Sequence, residues 1–164
     1  MLVAGAMFWQ YILALHIFAV VVAFGVIFLY PLFGLIGLKL EARAMPSFHR
    51  FQHAVHMKVS SPGLVVIMAA GIYLASHLHV WSHFFVQWGL GASIVIGGIG
   101  GGYLSPRERK LAALAEAEVA GVAGGADVTW SAEYQAVHRQ AEIARGIQGL
   151  IAFLTILFMT LHTG

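Results

Sequence analysis

Three long stretches of this chain contain no Asp, Glu, Lys or Arg: Met1 to Leu38, Val59 to Leu104 and Gly146 to Gly164. A transmembrane helix needs ~20 mostly apolar residues. The first stretch therefore holds one long span, and the second holds two joined by a turn. The third is short but borrows length from the helix leading into it. Hydrophobic residues make up 60% of the chain and charged residues 10%, against about a quarter charged in an ordinary soluble domain. The expected fold is all-α, a single integral membrane domain built as a four-transmembrane-helix bundle.

The expected spans are residues 8–30, 62–79, 84–104 and 146–161. No basic region precedes the first apolar run, which far exceeds the ~7–15 residues of a signal-peptide core, so it reads as a span. Pro31, Gly34 and Gly37 predict a kink or break at its end. Ser60-Ser61-Pro62 reads as a helix start, and Trp81 in the turn from His77 to His83 suits an interfacial depth. Ser105-Pro106-Arg107-Glu108 has capping-box spacing, predicting an Ala-rich surface helix to about Val119. A further helix is expected from about Ser131, running unbroken through Arg145 into span four.

Charge placement orients the bundle. All nine Lys and Arg fall in the two connections, residues 39–58 and 105–145. The positive-inside rule makes those connections cytoplasmic, with amphipathic helices in both, and puts both termini outside the inner membrane. Arg43, Arg50, Arg107, Arg109 and Lys110 are expected to meet anionic headgroups of the bilayer. A net charge of +2 argues for no nucleic acid partner, and the absence of Cys excludes disulfides and thiolate metal sites.

The polar candidates are then the nine histidines. His16 lies within span one, roughly 12 Å below its outer end at 1.5 Å per residue; an ionisable residue there is a functional hypothesis by default, the alternative being a hydrogen bond to a carbonyl on a neighbouring helix. His77 on span two is expected at a similar depth. Two imidazoles on neighbouring helices could ligate haem b from both sides, or serve a quinol. His79 and His83, four apart, would share a face if the helix continued, a spacing that suits Cu or Zn, with His162 completing the site. On the inner side His49, His53 and His56 line one helix face. They read as a polar surface, a pH sensor or a metal site with His138 as a further ligand.

Gly89, Ser93, Gly97 and Gly101 recur every fourth residue along span three. Such a stripe lets a second backbone come close. It serves packing within the bundle, a homo-oligomer or a larger membrane complex. No phosphate loop, nucleophile triad or carboxylate pair within the membrane is legible, and the absence of an intramembrane acid disfavours an ion-coupled transporter.

Several of these features together resemble a widespread group of predicted bacterial integral membrane proteins of unknown function. They are Leu15-His16-Ile17 in span one, Pro62-Gly63 with Gly71 in span two, Pro106-Arg107 after span three, and the closing Met159 to Gly164. The layout is distantly similar to HemJ-type protoporphyrinogen oxidases and CopD-type copper-resistance membrane domains. The first likeness implies a haem-binding bundle with His16 as a ligand. The second implies metal handling at His77, His79 and His83. HemJ-type enzymes also use a lysine near the outer part of span three, where this chain has Gln87 and no Lys. The reading carried forward is a small membrane protein binding haem b or a transition metal through its outer histidines, for redox or metal handling. The alternatives are a non-catalytic accessory or structural subunit and a HemJ-like oxidase.

Overall fold

The computed structural model describes residues 7–122 and 127–161. Among the described residues there are six α-helices: α1 (Phe8–Gly37), α2 (Met45–Val55), α3 (Ser61–His77), α4 (Phe84–Gly97), α5 (Ser105–Ala120) and α6 (Ala132–Thr160). Among the described residues there is no strand. Two π-helical segments, His56–Ser60 and Gly98–Leu104, join α2 to α3 and α4 to α5 without a break. The chain thus forms four long helices, Phe8–Gly37, Ala42–His77, Phe84–Ala120 and Ala132–Thr160, each long and apolar enough to cross a membrane. Large apolar side chains such as Phe18, Val21, Val65, Ile94, Leu150 and Phe153 point outward from all four. This is the surface a lipid-facing bundle requires.

These bounds correct three expectations. Pro62 does not begin a helix, and Ser105 does not cap one; no side-chain cap bond is made at either junction. The two expected loop helices are instead continuations of spans two and three. The reason lies in the backbone. Proline lacks an N–H, and its ring clashes with the carbonyl four residues back. In both places a Ser-Pro pair follows a π turn, and the serine N–H reaches five residues back, Ser61 to the His56 carbonyl and Ser105 to the Gly100 carbonyl. The wider turn moves the offending carbonyl aside. Pro31 likewise does not end α1, which continues to Gly37. The expectation for α6 holds. Its single run from Ala132 is capped by Ser131, whose hydroxyl accepts the Tyr134 N–H and is itself held by Glu118.

At the far end α3 closes with a Schellman motif. Val80 N–H returns to the Ala75 carbonyl, and His79 takes the left-handed position with φ of 56°. Trp81 Nε1 donates to Ser76 Oγ, and Gln87 donates to the Trp81 carbonyl, which pins the turn. In the bundle α1 packs along α3 and α4 along α6, while α2 lies against α5. Lipid tails are as apolar as leucine, so close packing must hold the helices together. Ala19, Ala23, Phe24, Ile27, Ile67, Ile96 and Ala152 form the core of the spans. A Cβ on Gly63 would lie 2.8 Å from the Ala23 Cβ, so α1 and α3 meet there at glycine distance.

Gly63→Val should therefore destabilise the bundle by about 1–3 kcal/mol, the usual cost of overpacking. Gly101→Val, at a site with nothing within 4 Å, should be neutral. Thermal unfolding of both variants in one detergent checks the contrast; equal melting temperatures would remove the α1–α3 contact as a determinant.

Candidate functional site

Two places in the bundle concentrate chemistry, one in each half. In the far half, away from the Lys and Arg residues, all four long helices border a cavity of about 620 Å³. Its walls are apolar, with Phe24, Ile67, Met159 and Trp81 among them, and its polar side chains are few: His16, Ser93, Thr155 and Thr160. Glycines open it. A Cβ on Gly71 would sit 3.2 Å from His16 Cε1, so Gly71 gives the imidazole its room. His16 Nδ1 lies 3.0 Å from the Ile67 carbonyl oxygen. A carbonyl can only accept, so Nδ1 carries the proton and donates. The ring is thereby fixed, and Nε2 keeps its lone pair.

His77 does not border the cavity. It stacks on Tyr73, has Trp9 nearby, and is exposed. The matched pair expected of His16 and His77 is not formed: His16 sits beside Ile67 and Gly71, more than a helical turn below His77. His79 and His83 do not share a helical face either, because α3 ends at His77 and α4 begins at Phe84. The left-handed backbone at His79 turns the chain between them. His162 lies outside the described residues.

The other place is at the charged end. The face of α2 and the adjoining π segment bearing His49, His53 and His56 does not meet headgroups. It is turned inward against α5 and α6. Glu108 is wholly buried there. Its Oε2 accepts from His53 Nδ1 (3.4 Å) and His56 Nδ1 (3.2 Å), and its Oε1 accepts from Arg145 Nη2 at 3.1 Å. Arg145 Nη1 also donates to Glu142 at 2.6 Å. His49 is placed by Tyr134, whose hydroxyl donates to Nε2 at 2.8 Å, and by Gln52, whose Oε1 accepts from Nδ1 at 3.2 Å. His138 stacks on Tyr134 and approaches Glu142. With Nδ1 of both His53 and His56 committed to one carboxylate oxygen, the three histidines do not converge as a ligand set. Among the described residues no group of three His, Asp or Glu is arranged to hold a metal ion.

Basic residues expected at headgroups are largely paired across helices. Arg50 bonds Glu116, Lys110 bonds Glu133, and Arg107 lies over the Tyr103 ring and reaches Gln140. The glycine stripe is mainly internal. Gly89 faces Met159, Gly97 faces Leu64 and Ser93 is buried, whereas Gly101 is exposed with nothing near it.

Sequence reasoning missed Glu108, Arg145, Tyr30, Gln52 and Gln148 as site residues. A signal was present. Glu108 stands at i, with Leu111, Ala112 and Ala115 at i+3, i+4 and i+7, all buried. Arg145 and Gln148 likewise fall on the buried face that carries Ala141, Ala144, Ala152 and Thr155. Comparison of the chain with protein-family models, curated proteins and solved structures finds no match.

Removing one partner of a buried ion pair leaves the other charge uncompensated, at about 3–5 kcal/mol. Glu108→Gln and Arg145→Gln should each be destabilising on that scale. The double variant should cost clearly less than the two singles together, as coupled neighbours do. Melting temperatures of the four proteins check this; strictly additive losses would mean the pair is not coupled.

Proposed function

We propose that the protein binds a planar apolar redox cofactor of the haem b class in the four-helix cavity, with His16 Nε2 as its protein ligand. One observation carries this reading: His16 donates Nδ1–H to the Ile67 carbonyl while its ring borders the cavity. Histidines that ligate metals characteristically donate their other ring N–H to a carbonyl or carboxylate, which sets tautomer and direction. The cavity's volume also lies within the roughly 300–1,000 Å³ of small-molecule sites, and its apolar walls with few polar groups are of the usual kind. Bundle cores between facing helices are common places for such cofactors. His16 would hold such a group, which would supply redox or small-ligand chemistry there when bound. The chain's own part is to fix the imidazole, exclude water and keep the surroundings of low polarity.

The purified protein should show a Soret band. His16→Ala should abolish it, and His77→Ala, outside the cavity, should leave it intact. A colourless protein that takes up no added haem would overturn the assignment.

On this reading the cavity lies in the outer leaflet of the inner membrane, because every Lys and Arg is at the opposite end. The chain has no Cys, so single replacements report topology directly. Ser82→Cys, on the far turn, should react with an impermeant maleimide on intact cells. Ala113→Cys, exposed on α5, should react only after permeabilisation. The reverse pattern would invert the orientation.

A further inference from the structure

Independently of what the cavity holds, the charged end contains groups that packing alone does not explain. Four buried polar atoms make no direct hydrogen bond of ordinary geometry among the described residues: Tyr30 OH and Ser60 Oγ, which face one another, Arg145 Nε and Gln148 Oε1. All four residues are more than nine-tenths buried. They come from three elements, α1, the first π segment and α6, and neighbour one another in turn: Ser60 beside Tyr30, Tyr30 beside Arg145, and Gln148 one turn along α6 from Arg145. The Arg145 guanidinium lies 5.2 Å from the Tyr30 ring centroid. Gln148 and His56 both meet the position where a Cβ on Gly100 would stand, Gln148 Nε2 at 3.3 Å and His56 Nε2 at 2.6 Å. Gly100 therefore gives the His56 ring and the Gln148 amide their room, which any side chain there would take. Donors and acceptors are mixed in this set, as ordered water requires and an anion does not.

On its other side the same spot touches the Glu108 cluster, whose charge does not balance. Two carboxylates, Glu108 and Glu142, stand against one guanidinium, Arg145. The remaining titratable groups facing it are His53 and His56, with His49, His138 and Tyr134 behind them and Tyr30 from α1. Lys58, on the same π segment as His56, is exposed. One added proton would neutralise the set. His53 and His56 each present Nδ1 to Glu108 Oε2, so the new N–H bond forms at an Nε2. The His53 side chain keeps 25% of its surface exposed, whereas His56 retains 4%.

We propose that this cluster is a hydrated proton-binding site. It takes one proton from the aqueous phase at the charged end, through His53, onto the His53–Glu108–His56 group. Ordered water between Tyr30, Ser60, Arg145 and Gln148 completes it on the membrane side. The proton comes from hydronium or water, only N–H and O–H bonds change, and no electron moves. Ala23, Ile27, Ile67, Ile96 and Ala152 close the path toward the far cavity, so the site opens to one face only. Ionisable groups at membrane depth commonly serve such proton relays.

The test is histidine ¹⁵N NMR of the full-length protein in lipid nanodiscs, titrated from about pH 8 to about pH 5, the range in which histidine changes charge. His53 and His56 together should gain one proton, not two, with both Nδ1–H groups retained. In Glu108→Gln the buried His56 should stay neutral over that range. Magnetisation transfer from water should reach the Gln148 side-chain amide. Independent protonation of both histidines, protonation of neither, or a dry Gln148 would overturn the proposal. Should Glu108→Gln fail to fold, His53→Gln at the partly exposed position serves instead: His56 should then take the single proton, and its remaining neutral would equally overturn the assignment.

Discussion

The charged half of this molecule depends on one contact, the Glu108 carboxylate against the Arg145 guanidinium, 3.1 Å apart and both buried. A carboxylate removed from water without a partner would be prohibitively costly. Each group therefore requires the other, and α5 must lie against α6 at the level where they meet. The demand then spreads. The second oxygen of Glu108 takes His53 and His56, and the other guanidinium nitrogen takes Glu142. Gln52 bridges Arg145 to His49, and His49 leads to Tyr134 on α6. One buried pair thus recruits α2, the first π segment, α5 and α6 into a single hydrogen-bonded body.

That body can form only because the long helices are not uniform. Each π turn adds one residue, which rotates the side chains beyond it by roughly 100° relative to an unbroken α-helix. The segments His56–Ser60 and Gly98–Leu104 face one another, with His56 Nε2 against Gly100. The two Ser-Pro pairs tie these widened turns to fixed positions, since an ordinary turn could not accommodate Pro62 or Pro106. A disturbance of helical register that would be costly in water becomes, in this bundle, the means of aiming an imidazole at a carboxylate.

The two halves solve different problems. The far half is apolar and open, with glycines at Gly71 and Gly89 making space beside His16 and Met159. The charged half is filled with paired polar groups. Between them Ala19, Ala23, Phe24, Ile27 and Ala152 pack closely enough to keep the halves apart.

Charge-free length determined the class of this protein directly from sequence: four apolar helices follow from the solvation cost of backbone and charge, which is local and additive along the chain. The turn at His77–His83 and the continuity of α6 through Arg145 were legible for the same reason. His16 stood out because a titratable group within an apolar run needs a partner in lipid, which the Ile67 carbonyl supplies. What the tertiary structure alone decided was which groups meet. Ser105 to Glu108 spells a helix cap locally, yet the buried partner Arg145 outcompetes a backbone N–H for the carboxylate, since a charge pair in a low-dielectric interior outweighs a neutral hydrogen bond. His49, His53 and His56 share a face by spacing, but whether that face meets water or protein depends on where α5 and α6 come to lie. His77 failed to join His16 because depth along a helix is readable from sequence only to within a turn, whereas lining a common cavity is a matter of side-chain direction.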